Sequence, residues 1–298
     1  MIRHLSVGLC VLMACGSARS LPQVPVFTSR VDAVTLDVSV QEGKRPVAGL
    51  AAANFEVLDN GVRQHILDVS VETVPRDVAL LLDQSESLGS VRANIPDRVR
   101  HIPREIGVAI RPGDQLQVVL FASAIRRING LDVSPLDLPL ERRQTALFDA
   151  VLLAAMQRAQ PGRRRIIIVV TDGIDTISAT DYRIRAAVLD RTDVVIHIVA
   201  ITQFRGAARF APLGESGGSF ERFRWILADM TDRTGGRFFD LSPEADLLPA
   251  VKAAIDESLT RYVLRFEASS AVRGWHALTV SVPAKNYDVR SRRGYWRE

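Results

Sequence analysis

Residues 78–87 read Val-Ala-Leu-Leu-Leu-Asp-Gln-Ser-Glu-Ser. Val78 to Leu82 is a short, wholly apolar run bounded by charge, the pattern of a strand buried on both faces of a parallel sheet. Comparable runs recur at Leu116–Phe121, Ile166–Val170 and Val194–Ile201. Helical periodicity lies between and after them. It covers Val91–Ile106 (interrupted by Pro96 and Pro103), Thr145–Ala159, Asp181–Leu189, Phe220–Arg233 and Asp246–Thr260. The second of these, with Leu147, Val151, Ala154 and Ala155 on one face, has the clearest period. Buried strands alternating with helices predict an α/β fold with a doubly wound, mostly parallel sheet.

Outward from this core the pattern changes to period two. Val31–Val40, Asn54–Leu58 and His65–Val71 read as strands, and Asn60-Gly61 is a hairpin signal because a type I′ turn needs positive φ twice. Tyr262–Ala268, His276–Val282 and Val289–Tyr295 alternate again near the C-terminus. Antiparallel β segments on both sides of the core predict one discontinuous β domain. The expected organisation is a signal peptide at 1–20, a β module at 21–75, the α/β domain at 76–260 and a β segment at 261–298. Residues 204–219 are rich in Gly and Ser and read as an exposed loop.

The chemistry-bearing residues fall at the C-terminal ends of the buried strands, where open α/β sheets bind ligands. Asp83, Ser85 and Ser87 follow the first core strand, Thr145 precedes the most periodic helix, and Asp172 follows the run 166–170. These are hard oxygen donors with no His or Cys near them in sequence, a set suited to Mg²⁺. Two formal negative charges on a dication leave it electrophilic toward a further carboxylate. Ser, Asp and Thr at strand-to-helix junctions are also ordinary helix caps, so a metal-free capping role for Thr145 stays open.

The D-x-S-x-S run Asp83–Ser87, Thr145 and Thr171-Asp172-Gly173 together resemble the metal-ion-dependent adhesion site (MIDAS) of von Willebrand factor type A (VWA) domains. The resemblance implies that Ser85, Ser87 and Thr145 give hydroxyls to Mg²⁺ (or Mn²⁺ or Ca²⁺). Asp83 and Asp172 then act directly or through bound water. Glu86, at a variable position, adds negative charge and departs from the usual pattern. Arg45–Leu50, Asn54–Gly61, Tyr262–Leu264, Gly274–His276 and Arg292–Trp296 are similar to the flanks of exported bacterial VWFA-related proteins. The resemblance implies an adhesion-type module that captures an Asp or Glu of a partner protein. The alternative is a structural or assembly component of the cell envelope with a stabilising or vestigial site.

Other residues carry blander expectations. His197 lies in an apolar strand and reads as a satisfied core histidine. Arg163-Arg164-Arg165 and Arg290–Arg297 read as solvated edges, Asp175 as a loop or capping residue, and Asp149 as a supporting or surface group. The 298 residues are 47% hydrophobic and 24% charged, enough for a sizeable core, and the net charge of +4 argues against nucleic acid as a partner. No phosphate-loop or dinucleotide fingerprint occurs, and Ser85 stands where an aspartyl phosphotransferase needs its second Asp, so no enzyme is expected. Leu5–Ala14 has the length of a signal-peptide h-region, predicting an exported bacterial protein, periplasmic, at the cell surface or secreted. Two processing routes are open: cleavage after Ser20, or a lipobox ending at Cys15, whose lipid would attach the chain to a membrane. Removing residues 1–20 takes Arg3 and Arg19 with them and halves the charge excess.

Overall fold

A computed structural model describes residues 33–89, 95–128, 144–158, 160–201 and 219–298. Residues 1–20, expected as a signal peptide and including Cys15, and residues 21–30, lie outside the described residues, as do residues 202–218 of the Gly/Ser-rich stretch.

The central sheet contains β6 (Arg76–Asp83), β7 (Gln115–Phe121), β8 (Ile125–Ile128), β9 (Arg164–Thr171), β10 (Val195–Ile201) and β11 (Phe238–Leu241). The strand order is β11-β10-β9-β6-β7-β8, parallel throughout except for the antiparallel edge strand β8. Chain progression therefore reverses between β6 and β9, and a crevice opens there at the strand ends. β10 is buried at every position, His197 included, as its mostly apolar run predicts. Two core strands carry weaker sequence signals. β8 (Ile-Arg-Arg-Ile) is a polar edge, and β11 (Phe-Phe-Asp-Leu) is four half-buried residues; neither shows a buried-strand run.

Helices cover both faces. On one, α2 (Ile95–Gly107) and α6 (Leu248–Glu257) supply Val99, Ile102, Val251 and Ile255 against Leu80, Leu82 and Ile168. On the other, α3 (Leu147–Ala155), α4 (Tyr182–Leu189) and α5 (Ser219–Thr234) supply Leu147, Val151, Leu189 and Leu227 against Leu81, Val169 and Ile198. The helix expected from Val91 starts at Ile95 among the described residues, and the one expected from Thr145 starts two residues later, at Leu147. Gly236, between α5 and β11, has no room for a side chain: a Cβ there would lie 1.9 Å from the Ile196 carbonyl oxygen.

The flanking strands pair with one another across the length of the chain. β1 (Ala33–Glu42) runs antiparallel to β12 (Tyr262–Glu267), which also pairs with β5 (His65–Ser70). β3 (Glu56–Asp59) pairs with β13 (Gly274–Ser281), and β13 with β15 (Gly294–Arg297). Leu36, Val38, Val57, Leu264, Phe266 and Leu278 fill the space between these sheets. Asn60 and Gly61 take φ of 48° and 81°, the two positive values the hairpin requires. The turn joins β3 to the short β4 (Val62–Arg63) rather than to β5, which leaves for the other sheet.

Two expectations are corrected here. The segment read as a strand from Asn54 begins as a 3₁₀ turn (Ala52–Asn54) before β3. The single strand expected over Val289–Tyr295 is two: β14 (Asp288–Arg290) pairs with β1, and β15 pairs with β13 in a different sheet. The bend falls in the polar run Arg290–Arg293, where the backbone turns toward the end of α5: Arg292 bridges to Thr234 and the Arg293 N–H donates to the Arg233 carbonyl.

Arg163–Arg165 is also not a solvated edge, whereas in Arg290–Arg297 Arg293 and Trp296 are exposed. Arg164 is buried, holds Asp37 of β1 through two contacts (2.9 and 3.2 Å) and donates to the Ser258 carbonyl. Arg293 reaches Asp229 (2.6 Å) and Asp232 (3.1 Å) of α5. Arg261, fully buried, pairs with Glu257 at 2.8 Å and donates to the Asp37 carbonyl. Removing one partner of such a buried pair costs about 3–5 kcal/mol, because the other charge is left uncompensated.

Candidate metal centre

Beyond the ends of β6 and β9 the structure brings together four of the sequence-predicted oxygen residues, Asp83, Ser85, Ser87 and Asp172. Asp83 is the last residue of β6, and the Gln84 N–H donates to the Phe121 carbonyl at the end of β7 (2.8 Å). The chain turns sharply there: Asp83 Oδ1 accepts the Ser85 N–H (2.9 Å), which throws Ser85 and Ser87 back toward the strand end. The two serine hydroxyls lie 2.9 Å apart, and the Ser87 hydroxyl donates to the Asp172 carboxylate.

Thr171 ends β9, directly before Asp172. In the structure its buried hydroxyl donates to Asp83 Oδ2 (2.6 Å) and accepts the Gly173 N–H (3.0 Å). It therefore orients the Asp83 carboxylate from the neighbouring strand. Gly173 takes φ of 87°, which lets the loop turn while Asp172 Oδ1 receives the Ile174 N–H at 3.0 Å.

Thr145 reaches the same edge by another route. The Ala146 N–H donates to the Ala122 carbonyl just past β7, and Thr145 and Thr176 bond reciprocally, Thr145 N–H to the Thr176 hydroxyl (2.7 Å) and Thr176 N–H to the Thr145 carbonyl (2.9 Å). The Thr145 side chain does not cap α3. Asp175 does so from across the loop, accepting the Phe148 N–H at 3.2 Å. Asp149 accepts the Ala179 and Thr180 N–H groups and the Thr180 hydroxyl, fastening the far end of the same loop. Burial by itself would raise the Asp149 carboxyl, but these bonds and the nearby Arg185 charge outweigh it and hold the group below its ordinary range. So Asp175 and Asp149 tie the loop bearing Asp172 to the helix following Thr145. Among the described residues the Thr145 hydroxyl makes no hydrogen bond to the other four side chains.

Electrostatically the site is short of positive charge. Asp83, Ser85, Thr145 and Asp172 are all buried, and neither carboxylate makes an ion pair among the described residues. Burial, then the nearby Asp172 charge, pushes the Asp83 carboxyl up to about 7. Burial likewise raises Asp172. Among the described residues no group of three or more His, Cys, Asp or Glu side chains is placed to hold a metal ion. A cation here would have to be completed by hydroxyls, and the donor set of two carboxylates and three hydroxyls fits a hard divalent ion.

His197 is buried in β10 and accepts the Arg237 N–H at Nδ1 (3.2 Å), while its Nε2 has no partner. Burial drops its pKa to about 4, so it stays neutral. Gly214-Glu215-Ser216-Gly217-Gly218 has the spelling of a hydrolase nucleophile elbow, G-x-S-x-G, and lies outside the described residues.

No family model and no curated protein matches the sequence. Among solved structures, the chain is similar to a von Willebrand factor type A protein from Catenulispora acidiphila. The TM-score is 0.50 at 12% identity, over 82% of this chain and 73% of that one. Proximal thread matrix protein 1 of the mussel byssus, solved with a zinc-occupied MIDAS motif, is similar with TM-score 0.45 and 18% identity, over 68% of this chain and 50% of that one. BatB from Bacteroides thetaiotaomicron is similar with TM-score 0.41 and 17% identity, over 61% of this chain and 98% of that one. This chain thus spans about half the length of the mussel protein. Strand order and the likeness to the Catenulispora protein agree that the chain has a von Willebrand factor type A-like fold.

Proposed function

We propose that this chain is an exported protein-binding module whose strand-end site holds a divalent cation, Mg²⁺ by donor chemistry, and captures an acidic residue of a partner protein. The observation that carries the proposal is the buried pair Asp83 and Asp172, two carboxylates raised by burial with no cationic side chain paired to either among the described residues. A bound cation supplies the missing positive charge and an exchangeable position for an external carboxylate.

The residues divide the work. Asp83 and Asp172 provide the charge, and Ser85, Ser87 and Thr145 provide neutral oxygens. Thr171 aims Asp83, and Asp175 and Asp149 hold the Asp172 loop against α3. Because much of this framework is already hydrogen-bonded, little side-chain freedom remains to be lost on binding. Export rests on the h-region Leu5–Ala14, and no helix of the described residues is long and apolar enough to cross a membrane. The site is proposed to bind rather than to catalyse.

Titrating Mg²⁺ into the mature protein tests the metal claim: a saturable heat and a rise in melting temperature are expected, both lost in Asp83→Ala. Absence of both in the unmutated protein refutes it. The buried ion pairs that join the β strands to the core favour one second reading, a structural component of the envelope. Partner capture that survives EDTA would select that reading. Hydrolytic turnover abolished by Asp83→Asn would overturn the non-catalytic assignment.

A further inference from the structure

A second charged concavity lies at the opposite edge of the central sheet, where β9 and β10 begin and where β1 and β12 pass beneath them. It is a cleft of about 310 Å³ lined by five arginines, Arg163, Arg164, Arg165, Arg265 and Arg292, against three carboxylates, Asp37, Glu72 and Asp193. Each carboxylate is already paired. Asp37 is held by Arg164 at 2.9 Å, Glu72 by Arg265 at 2.7 Å and Asp193 by Arg165 at 3.2 Å. Arg163 is paired to Asp77. That leaves Arg292, which makes no ion pair among the described residues, although the Asp193 and Asp190 charges lie near enough to act on it.

Arg292 is fixed in place by carbonyls alone: Nε donates to Gly294 O (2.6 Å) and Nη2 to Asp190 O (3.1 Å). Its backbone is bridged to Thr234 at the end of α5. Burial lowers its pKa, and the Asp193 and Asp190 charges offset that only in part. A planar guanidinium held rigid at two donors, with further cationic heads around it, is the arrangement that receives an oxyanion through charge-assisted hydrogen bonds.

We propose that this cleft binds a free, small oxyanion of the phosphate type, with Arg292 as its principal ligand. The anion would sit at the seam between the β strands and the core, remote from the strand-end carboxylates, and would hold the Ser291–Arg293 bend against β9 and β10.

The probe is inorganic phosphate, titrated into the full mature chain in EDTA at constant ionic strength against chloride, with heat and ³¹P line width as readouts. Saturable one-site binding is expected. Arg292→Gln should weaken it about tenfold, the loss of one charge-assisted hydrogen bond. Because Arg292→Gln also removes contacts that support the fold, Asp193→Asn is the second variant. Asp193 is 65% exposed and replaceable, and removing its charge should tighten phosphate binding about threefold. No saturable binding above chloride, or affinity unchanged in Asp193→Asn, overturns the proposal. Capture of the chain by phosphatidylglycerol vesicles that phosphate competes off would overturn the free anion as occupant.

Discussion

Neutralising Asp83 should stabilise the metal-free protein at alkaline pH, and the structure sets the size. Burial and the Asp172 charge move its carboxyl from 3.8 to about 7 in the folded state. Between those values the folded chain binds more protons than the unfolded one. Stability therefore falls as pH rises through about 4 to 7, and the loss stays constant above. At about 1.4 kcal/mol per pH unit, the ionised, fully buried Asp83 costs the folded state about 4 kcal/mol at pH 8. Asn in its place keeps the acceptor for the Ser85 N–H but forfeits the one for the Thr171 hydroxyl, a loss of about 1 kcal/mol. The net gain is about 3 kcal/mol, or about 6 °C in melting temperature for a chain of this size. Thermal unfolding of wild type and Asp83→Asn in EDTA at pH 5 and pH 8 checks it. The variant should melt higher at pH 8, and the gap should nearly close at pH 5. With Mg²⁺ at about a hundredfold over its Kd, wild type alone should recover about 2.7 kcal/mol. A variant that melts at or below wild type at pH 8, or a gap equal at both pH values, refutes the reasoning that the carboxylate is under-compensated.

Other perturbations act at a distance from the carboxylates. Asp175→Ala removes the cap on the Phe148 N–H and should cost about 1 kcal/mol while shrinking the Mg²⁺-induced melting shift; Asp175→Asn, which keeps an acceptor, should restore both. Tyr295→Phe deletes the hydroxyl that donates to Asp59 Oδ2 at 2.8 Å beside the buried His276, and denaturant titration should show a loss of about 2 kcal/mol with Mg²⁺ binding unchanged. Gly236→Ala drives a Cβ into the Ile196 carbonyl, backbone that cannot yield, and should lower stability by about 3 kcal/mol, seen in the same titration.

Legibility followed burial and locality. Val78–Leu82 and Val194–Ile201 were readable as core strands because both faces are apolar, His197 being the single polar residue in the two runs. Phe238–Leu241 was not, since an edge strand of half-buried residues has no distinctive pattern. The Asn60-Gly61 turn was visible because its backbone demands positive φ from two adjacent residues, while its strand partner was not. Val289–Tyr295 was read as one strand because the polar run Arg290–Arg293 does not reveal that the residues on either side of it pair in different sheets. At the site, the five oxygen residues were visible at the strand ends. Thr171 was hidden by resembling any β-branched residue ending a strand; its hydroxyl matters only because β9 lies beside β6.

The sequence by itself determined the α/β alternation, the hairpin at Asn60-Gly61 and the placement of Asp83, Ser85, Ser87, Thr145 and Asp172 after or before core elements. Those features depend on local conformational preference and on which residues leave water. Only the tertiary structure decided that the strands from both ends of the chain pair together, that Arg164 and Arg261 are internal ties, and that Asp83 faces Asp172 without a cation among the described residues. Pairing partners and charge compensation are long-range, and an arginine reads the same in sequence whether it ends in solvent or against a buried carboxylate.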